Sequence, residues 1–205
     1  MSTDPVSTIR TVTVVGAGYM GGGIAQVLAM AGLPVRIADV SVEAADAALE
    51  RILGEARASE DQGLIPAGSA DAVASHLTAG QTIEEAVAEA DFIEEAVFEV
   101  PDVKHEVLGR ISAAARPEAI IGTNTSTIPV RVLAPAVSHP ERFLTVHFSN
   151  PMPFIPGVEL VAGDATTQGA IDAVKDLLAR ADCEGAQVAD TPGMVLNRCL
   201  LYTSD

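Results

Sequence analysis

Residues 11–39 run Thr-Val-Thr-Val-Val-Gly-Ala-Gly-Tyr-Met-Gly-Gly-Gly-Ile-Ala-Gln-Val-Leu-Ala-Met-Ala-Gly-Leu-Pro-Val-Arg-Ile-Ala-Asp. A β-branched run leads into glycines spaced Gly16-x-Gly18-x-x-Gly21. An apolar helical stretch follows, then a second strand that ends at Asp39. Strand, glycine turn, helix, strand and acid in this order form the dinucleotide-binding fingerprint in its proper context. Gly16 permits the tight turn, Gly18 lets backbone approach a pyrophosphate, and Gly21 lets the helix pack closely on the strand. The phosphates then sit at the helix N-terminus, where unpaired N–H groups and the dipole favour negative charge. Tyr19 and Met20, the residues between the last two glycines, belong to the same expected contact surface. Asp39 can accept hydrogen bonds from a ribose 2′-OH and repels a 2′-phosphate, so the pattern predicts NAD rather than NADP.

The chain has 205 residues, enough for one large domain or one and a part. Its hydrophobic content of 48 % supports a substantial core. No apolar run reaches about 18 residues, so no membrane span is expected. The opening Met-Ser-Thr-Asp-Pro-Val-Ser-Thr lacks the basic region and apolar stretch of a secretory signal. A net charge of −16 argues against nucleic acid and anionic membranes as partners. Cys183 and Cys199 provide neither metal spacing nor a disulfide framework, so a reducing cytoplasm is the expected compartment. The histidines are scattered, and no metal is expected.

Beyond Asp39, residues 42 to 60 place Ala45, Ala48, Leu49, Ile52 and Leu53 at helical spacing. Gly63, Pro66 and Gly68 interrupt the pattern before a second helical stretch from Ala70 to Leu77, predicting a helical hairpin inserted before the sheet resumes. Thr82 followed by Glu85 is a capping-box pattern. Asp91 to Val97 reads as a strand running into a loop that Glu94 and Glu95 help to shape, and Pro101 suits the first turn of a helix. Further strands are expected at Ala119–Thr123, Arg142–Phe148, Gly157–Val161 and Ala186–Ala189, with an amphipathic helix from Ala170 to Ala181. Strands alternating with helices predict an α/β, Rossmann-like, doubly wound and mostly parallel sheet.

Four more signals follow: Asn124-Thr-Ser-Thr, His147-Phe-Ser-Asn-Pro, Gly157-Val-Glu159, and Asp190-Thr-Pro-Gly-Met-Val-Leu-Asn197-Arg198. With the glycine turn they resemble the L-3-hydroxyacyl-CoA dehydrogenase family, from about Ile9 to Arg198. The resemblance implies NAD as cofactor and a catalytic pair of His147 and Glu159. Oxidising a secondary alcohol needs a base for the hydroxyl proton while hydride leaves, and imidazole titrates near working pH. A carboxylate on the other ring nitrogen fixes the tautomer and stabilises imidazolium. Ser126 matches the serine that bonds the reacting oxygen, and Asn197 an active-site asparagine able to stabilise developing oxygen charge. Asn150 matches a residue near the nicotinamide ribose, Glu99 and Lys104 match two further cofactor contacts, and Asn124 is also expected at the cofactor. His76, His105 and His139 fit no motif and are expected at the surface.

The resemblance weakens in the hairpin. There Glu55 and Gln62 stand where the family places a CoA-binding serine and lysine, and Glu50, Glu55, Glu60 and Asp61 face Arg51 and Arg57. An acidic face repels CoA phosphates. The Ile155-Pro156 before Gly157 is similar to relatives that oxidise L-gulonate or other small hydroxy acids. Three readings stay open: a 3-hydroxyacyl-CoA dehydrogenase, a dehydrogenase of a free 3-hydroxy acid, and a nucleotide-binding fragment without turnover. The expected organisation is a nucleotide-binding domain over residues 1–190 and the start of a linking helix over 191–205. The resemblance implies a further helical domain, absent here, through which the full-length protein forms a homodimer. Cys199-Leu-Leu-Tyr-Thr-Ser-Asp also resembles one reading frame of a transposon-end sequencing adapter, so residues 199–205 are expected to be an artefact.

Overall fold

The structure is a computed structural model that describes residues 8–202, without the side chains of residues 200–202. The expectation that the tail is adapter-derived concerns residues largely outside that description. Strand β1 (Val12–Val15) is buried at every position, as suits a β-branched central strand covered on both faces. Helix α1 (Tyr19–Met30) follows with Gly18 as its N-cap and no capping side chain, and β2 (Val35–Ala38) ends just before Asp39. The hairpin is α2 (Val42–Asp61), capped by Ser41 accepting from the Ala44 N–H, and α3 (Ser69–His76). A two-residue edge strand, β3 (Leu77–Thr78), was not expected; it is too short to carry a period-2 pattern.

Helix α4 (Ile83–Val87) starts with the Thr82–Glu85 capping box, both halves formed. Then come β4 (Phe92–Glu95), α5 (Pro101–Ala114) and β5 (Ile120–Thr123). A short helix α6 (Val130–Leu133) and two 3₁₀ turns lead to β6 (Phe143–Phe148). The chain closes through β7 (Gly157–Ala162), α7 (Gln168–Arg180), β8 (Glu184–Val188) and α8 (Leu196–Tyr202).

The eight strands lie in one sheet in the order β3-β2-β1-β4-β5-β6-β7-β8. Every pairing is parallel except β6 with β7. The strand order reverses between β1 and β4, and in open α/β sheets ligands bind outside the carboxyl ends of the strands at such a switch point. Two apolar layers cover the faces. Ile24, Leu28, Ile52, Val174 and Leu178 pack on one, and Leu108, Ile111, Leu133 and Val137 on the other.

Glu94 and Glu95 correct the loop expectation: both are strand residues, each fully buried. Alternation along β4 sends them to opposite faces. Glu95 accepts from Lys104 Nζ at 2.8 Å, the Val97 N–H at 2.7 Å and Thr123 Oγ1 at 2.6 Å. Glu94 meets no hydrogen-bond donor among the described residues. Its carboxyl occupies the space that a β-carbon at Gly122 on β5 would need. Burial first, and then repulsion by Glu95, push its carboxyl well above the usual range, against the pull of Lys104.

Candidate active site

The glycine turn shows why each glycine stands where it does. Gly16 has φ +92°, and a β-carbon there would lie 2.8 Å from the Ala96 carbonyl carbon and oxygen. A β-carbon at Gly21 would overlap the Gly16 carbonyl, so helix and strand can approach only without it. Gly18 differs: it has no positive φ, and its β-carbon would meet nothing within 4 Å. The fold does not require glycine there, and the open space in front of it is what a pyrophosphate would fill. The residues present therefore fit the cofactor.

Asp39 Oδ2 accepts from the Ala17 N–H at 2.8 Å, and Oδ1 accepts from the Val40 N–H at 2.7 Å. Each oxygen keeps a lone pair for a ribose hydroxyl. Two cavities flank this carboxylate. One, of about 330 Å³, is lined mostly by apolar side chains such as Val15, Val40, Val97 and Val107, with Glu106 and Arg110 also on its wall, a slot suited to a flat base. The other, of about 490 Å³, is lined by Gly18, Tyr19, Ala48, Arg51 and Glu55. Tyr19 is exposed, whereas Met20 packs partly into the core.

At the same end of the sheet, β6 and β7 place His147 opposite Glu159 in register. Cross-strand partners on one face are side-chain neighbours, which brings together two residues 12 apart in sequence. His147 Nδ1 lies 2.8 Å from Glu159 Oε2, and both residues are buried. A carboxylate can only accept, so Nδ1 is the donor in this contact, and a neutral ring held this way has its lone pair on Nε2. That lone pair faces Ser126 Oγ at 3.1 Å. Glu159 Oε1 accepts from the N–H groups of Val195 and Leu196 at 2.9 and 3.0 Å, at the start of α8. The next residue, Asn197, donates through Nδ2 to the Ser126 carbonyl at 3.2 Å. The structure thus brings Ser126, His147, Glu159 and Asn197 together.

Asn124 is buried, and its Oδ1 accepts from the Phe148 N–H at 2.8 Å, tying the ends of β5 and β6. Asn150 is exposed just past β6. Lys104 is placed otherwise than expected, whereas Glu99 remains exposed. Lys104 is 1 % exposed, and its ammonium is held by Glu95 at 2.8 Å and Glu99 at 3.5 Å, so it underlies the site instead of lining it. Glu99 Oε1 accepts from Thr125 Oγ1 at 2.7 Å and from the Ser126 and Thr127 N–H groups at 2.8 Å each. Burial raises its carboxyl, but the bonds from Thr125 and the Thr127 N–H, with the Lys104 charge, hold it below the usual range. Glu99 is therefore a clamp on the loop that carries Ser126.

The hairpin's acidic face is also partly spent. Glu60 turns inward to accept from the Gly68 and Ala70 N–H groups at 3.0 and 2.7 Å, capping α3. Sequence reasoning missed Asp190 as a cap: it accepts from the Val130 N–H at 3.0 Å and from Arg131 Nη1 at 3.1 Å, anchoring the chain after β8 beside the Ser126 loop. It also missed Arg51, whose guanidinium reaches the glycine turn; an Arg four residues before a Glu reads as an ordinary helix-surface pair. His105, expected at the surface, is half-buried, with Nε2 2.7 Å from the Val132 carbonyl.

Among the described residues no helix is long and apolar enough to cross a membrane. Residues 11–191 match the family described as 3-hydroxyacyl-CoA dehydrogenase, NAD binding domain. The chain is 33 % identical to a 3-hydroxybutyryl-CoA dehydrogenase of Bradyrhizobium diazoefficiens over 95 % of its own length and 66 % of that protein's. The crystal structure of (S)-3-hydroxybutyryl-CoA dehydrogenase PaaH1 from Ralstonia eutropha superposes with a TM-score of 0.87 at 31 % identity, covering 94 % of this chain and 68 % of that one. FadB2 of M. tuberculosis gives a TM-score of 0.89 at 31 % identity, covering 95 % and 69 %. The chain thus spans about two thirds of the length of these relatives. Family match, sheet order and glycine turn agree: the chain belongs to the 3-hydroxyacyl-CoA dehydrogenase family and carries its NAD-binding domain.

Proposed function

We propose that this site interconverts a 3-hydroxyacyl-CoA and a 3-oxoacyl-CoA. The observation that carries the reading is the line Glu159–His147–Ser126, with contacts of 2.8 and 3.1 Å, at the switch-point end of the sheet. NAD, when bound, takes the hydride from the carbinol carbon or, when reduced, returns it. His147 Nε2 takes the hydroxyl proton in oxidation and gives it back in reduction. Glu159 holds the ring in the productive tautomer and stabilises the imidazolium. The Ser126 hydroxyl exchanges its partner from Nε2 to the substrate oxygen. Asn197 has two N–H donors; one is bonded to the Ser126 carbonyl and the second is available to the same oxygen. Glu99 and Lys104 keep the Ser126 loop in place. Asp39 selects NAD over NADP. Residues 1–190 form the nucleotide-binding unit and 191–205 begin a linking helix. The cysteine usage suits a reducing cytoplasm.

A second reading, a free 3-hydroxy acid such as L-gulonate as substrate, draws support from Glu55. Its side chain is 53 % exposed on the hairpin face where CoA phosphates would approach. Three measurements separate the possibilities: NAD reduction with 3-hydroxybutyryl-CoA, NAD reduction with L-gulonate, and NAD binding alone. The main reading expects turnover with the CoA thioester. Turnover with L-gulonate alone would favour the second, and NAD binding without either would leave a nucleotide-binding fragment.

A further inference from the structure

Arg51 makes contacts that a helix-surface arginine has no need of. Its Nη2 donates to the Ala17 carbonyl at 2.8 Å and lies 3.3 Å from the Gly18 carbonyl, across 34 residues of sequence from the first. Its Nη1 lies 3.0 Å from both oxygens of Glu55, one helical turn on, which fixes the guanidinium from the far side. We infer that Arg51 is a positioning residue for the cofactor pyrophosphate, acting through the backbone of the glycine turn. The inference rests on the reading that NAD binds at that turn.

The argument is one of peptide geometry. In a trans peptide the C=O and the following N–H point to opposite sides. Drawing the Ala17 carbonyl toward α2 therefore turns the Gly18 N–H away from it, while the Gly18 carbonyl, which also accepts from the Gly22 N–H at 2.8 Å, starts α1 and leaves the Tyr19 N–H at its first turn. The two N–H groups before them are already engaged: Gly16 donates to the Ala38 carbonyl at 2.8 Å and Ala17 to Asp39 Oδ2 at 2.8 Å. Gly18 and Tyr19 thus begin the set of helix-terminal donors left for an anion. The turn has no side chain of its own to hold it, because the N-cap is glycine. Arg51 supplies that hold from a neighbouring helix.

Gly22 provides a second, independent observation. The fingerprint spacing does not require glycine at this position. A β-carbon there would lie 2.9 Å from Arg51 Nη2, its nearest neighbour, and 3.3 Å from Ile52 Cγ1, so the missing side chain leaves room for the guanidinium to reach the turn and for Ile52 to pack.

The test uses the 205-residue chain, with NAD, ADP and adenosine as ligands in titration calorimetry and a melting curve for each variant. Arg51→Ala is expected to weaken NAD and ADP by about tenfold, the size of one or two hydrogen bonds, and to leave adenosine within about twofold. Gly22→Ala pushes the guanidinium off the carbonyls while keeping its charge in the molecule. It is expected to weaken NAD and ADP several-fold, with adenosine within about twofold and only a small change in melting temperature from the contact with Ile52. Unchanged NAD binding in Arg51→Ala would overturn the inference, as would an equal loss for adenosine, which marks a merely structural role. Full affinity in Gly22→Ala beside a weakened Arg51→Ala would also overturn it, because charge and not position would then be acting. Failure of the unsubstituted chain to bind NAD would instead remove the underlying reading.

Discussion

The proposed cofactor half of the site is a backbone surface, and the proposed catalytic half is a cluster of side chains. In the first, the turn from Gly16 to Gly21 offers N–H groups, and what matters is where side chains are missing. In the second, Ser126, His147, Glu159 and Asn197 come from four segments and meet through hydrogen bonds of 2.8 to 3.2 Å. A backbone surface is specified by one short run of sequence. A side-chain cluster needs a register between strands, an anchored loop and a supporting layer beneath. That layer is the buried Glu95–Lys104 pair and the Glu99 clamp.

This contrast can be sharpened by breaking the supporting layer first. Lys104→Met leaves Glu95 buried without its cation, and removing one partner of a buried pair costs about 3–5 kcal/mol. The expected result is a large fall in melting temperature, with the Ser126 loop loosened as Glu99 loses its neighbour. A fall no greater than that of a surface substitution would show that the pair is not the foundation proposed here.

Gly18→Val is the matching test on the cofactor side. Its β-carbon enters open space, so stability should change by no more than about 0.5 kcal/mol, while NAD affinity falls by about tenfold or more as the side chain occupies the pyrophosphate's place. Normal NAD binding by this variant would place the cofactor elsewhere. Gly16→Ala, by contrast, should damage the fold itself, because the new carbon meets Ala96 backbone at 2.8 Å.

The smallest effect concerns Glu94, the buried carboxyl without a donor. Replacing an unsatisfied buried polar group by an apolar one of similar shape should stabilise by about 1 kcal/mol. The sign of the pH dependence follows from the raised carboxyl. The folded state holds this proton more tightly than the unfolded chain does. Wild-type stability from this group is therefore complete below the ordinary glutamate value of about 4.3 and declines as pH rises above it. Melting curves should show the advantage of Glu94→Met growing from acid toward neutral pH. A constant or shrinking difference would mean that Glu94 has a partner.

The same contrast explains what was legible in the sequence. The glycine turn, Asp39, the hairpin and the Thr82 cap are local patterns, and each was readable from residues close in the chain. His147 and Glu159 were paired through the family's motif order; their physical cause, the antiparallel register of β6 and β7, lies in the sheet. The burial of Lys104 was not readable, because a charged residue on a helix gives no sign of being buried. Lys104 sits at 1 % exposure only because β4 brings Glu95 beneath it. Glu94 sits in an otherwise apolar layer because Gly122 stands on the next strand, and that is a pairing no local pattern displays.

The central claim is that binding and chemistry are carried by these two separate materials, and His147→Gln tests it most directly. NAD affinity and hydride transfer from 3-hydroxybutyryl-CoA to NAD are measured on the same variant, alongside the unsubstituted chain. Loss of a general acid–base group is expected to lower turnover by about 10²–10⁴-fold, with the NAD dissociation constant kept within about twofold. Turnover that survives the substitution, or NAD affinity that falls in step with it, would contradict the account.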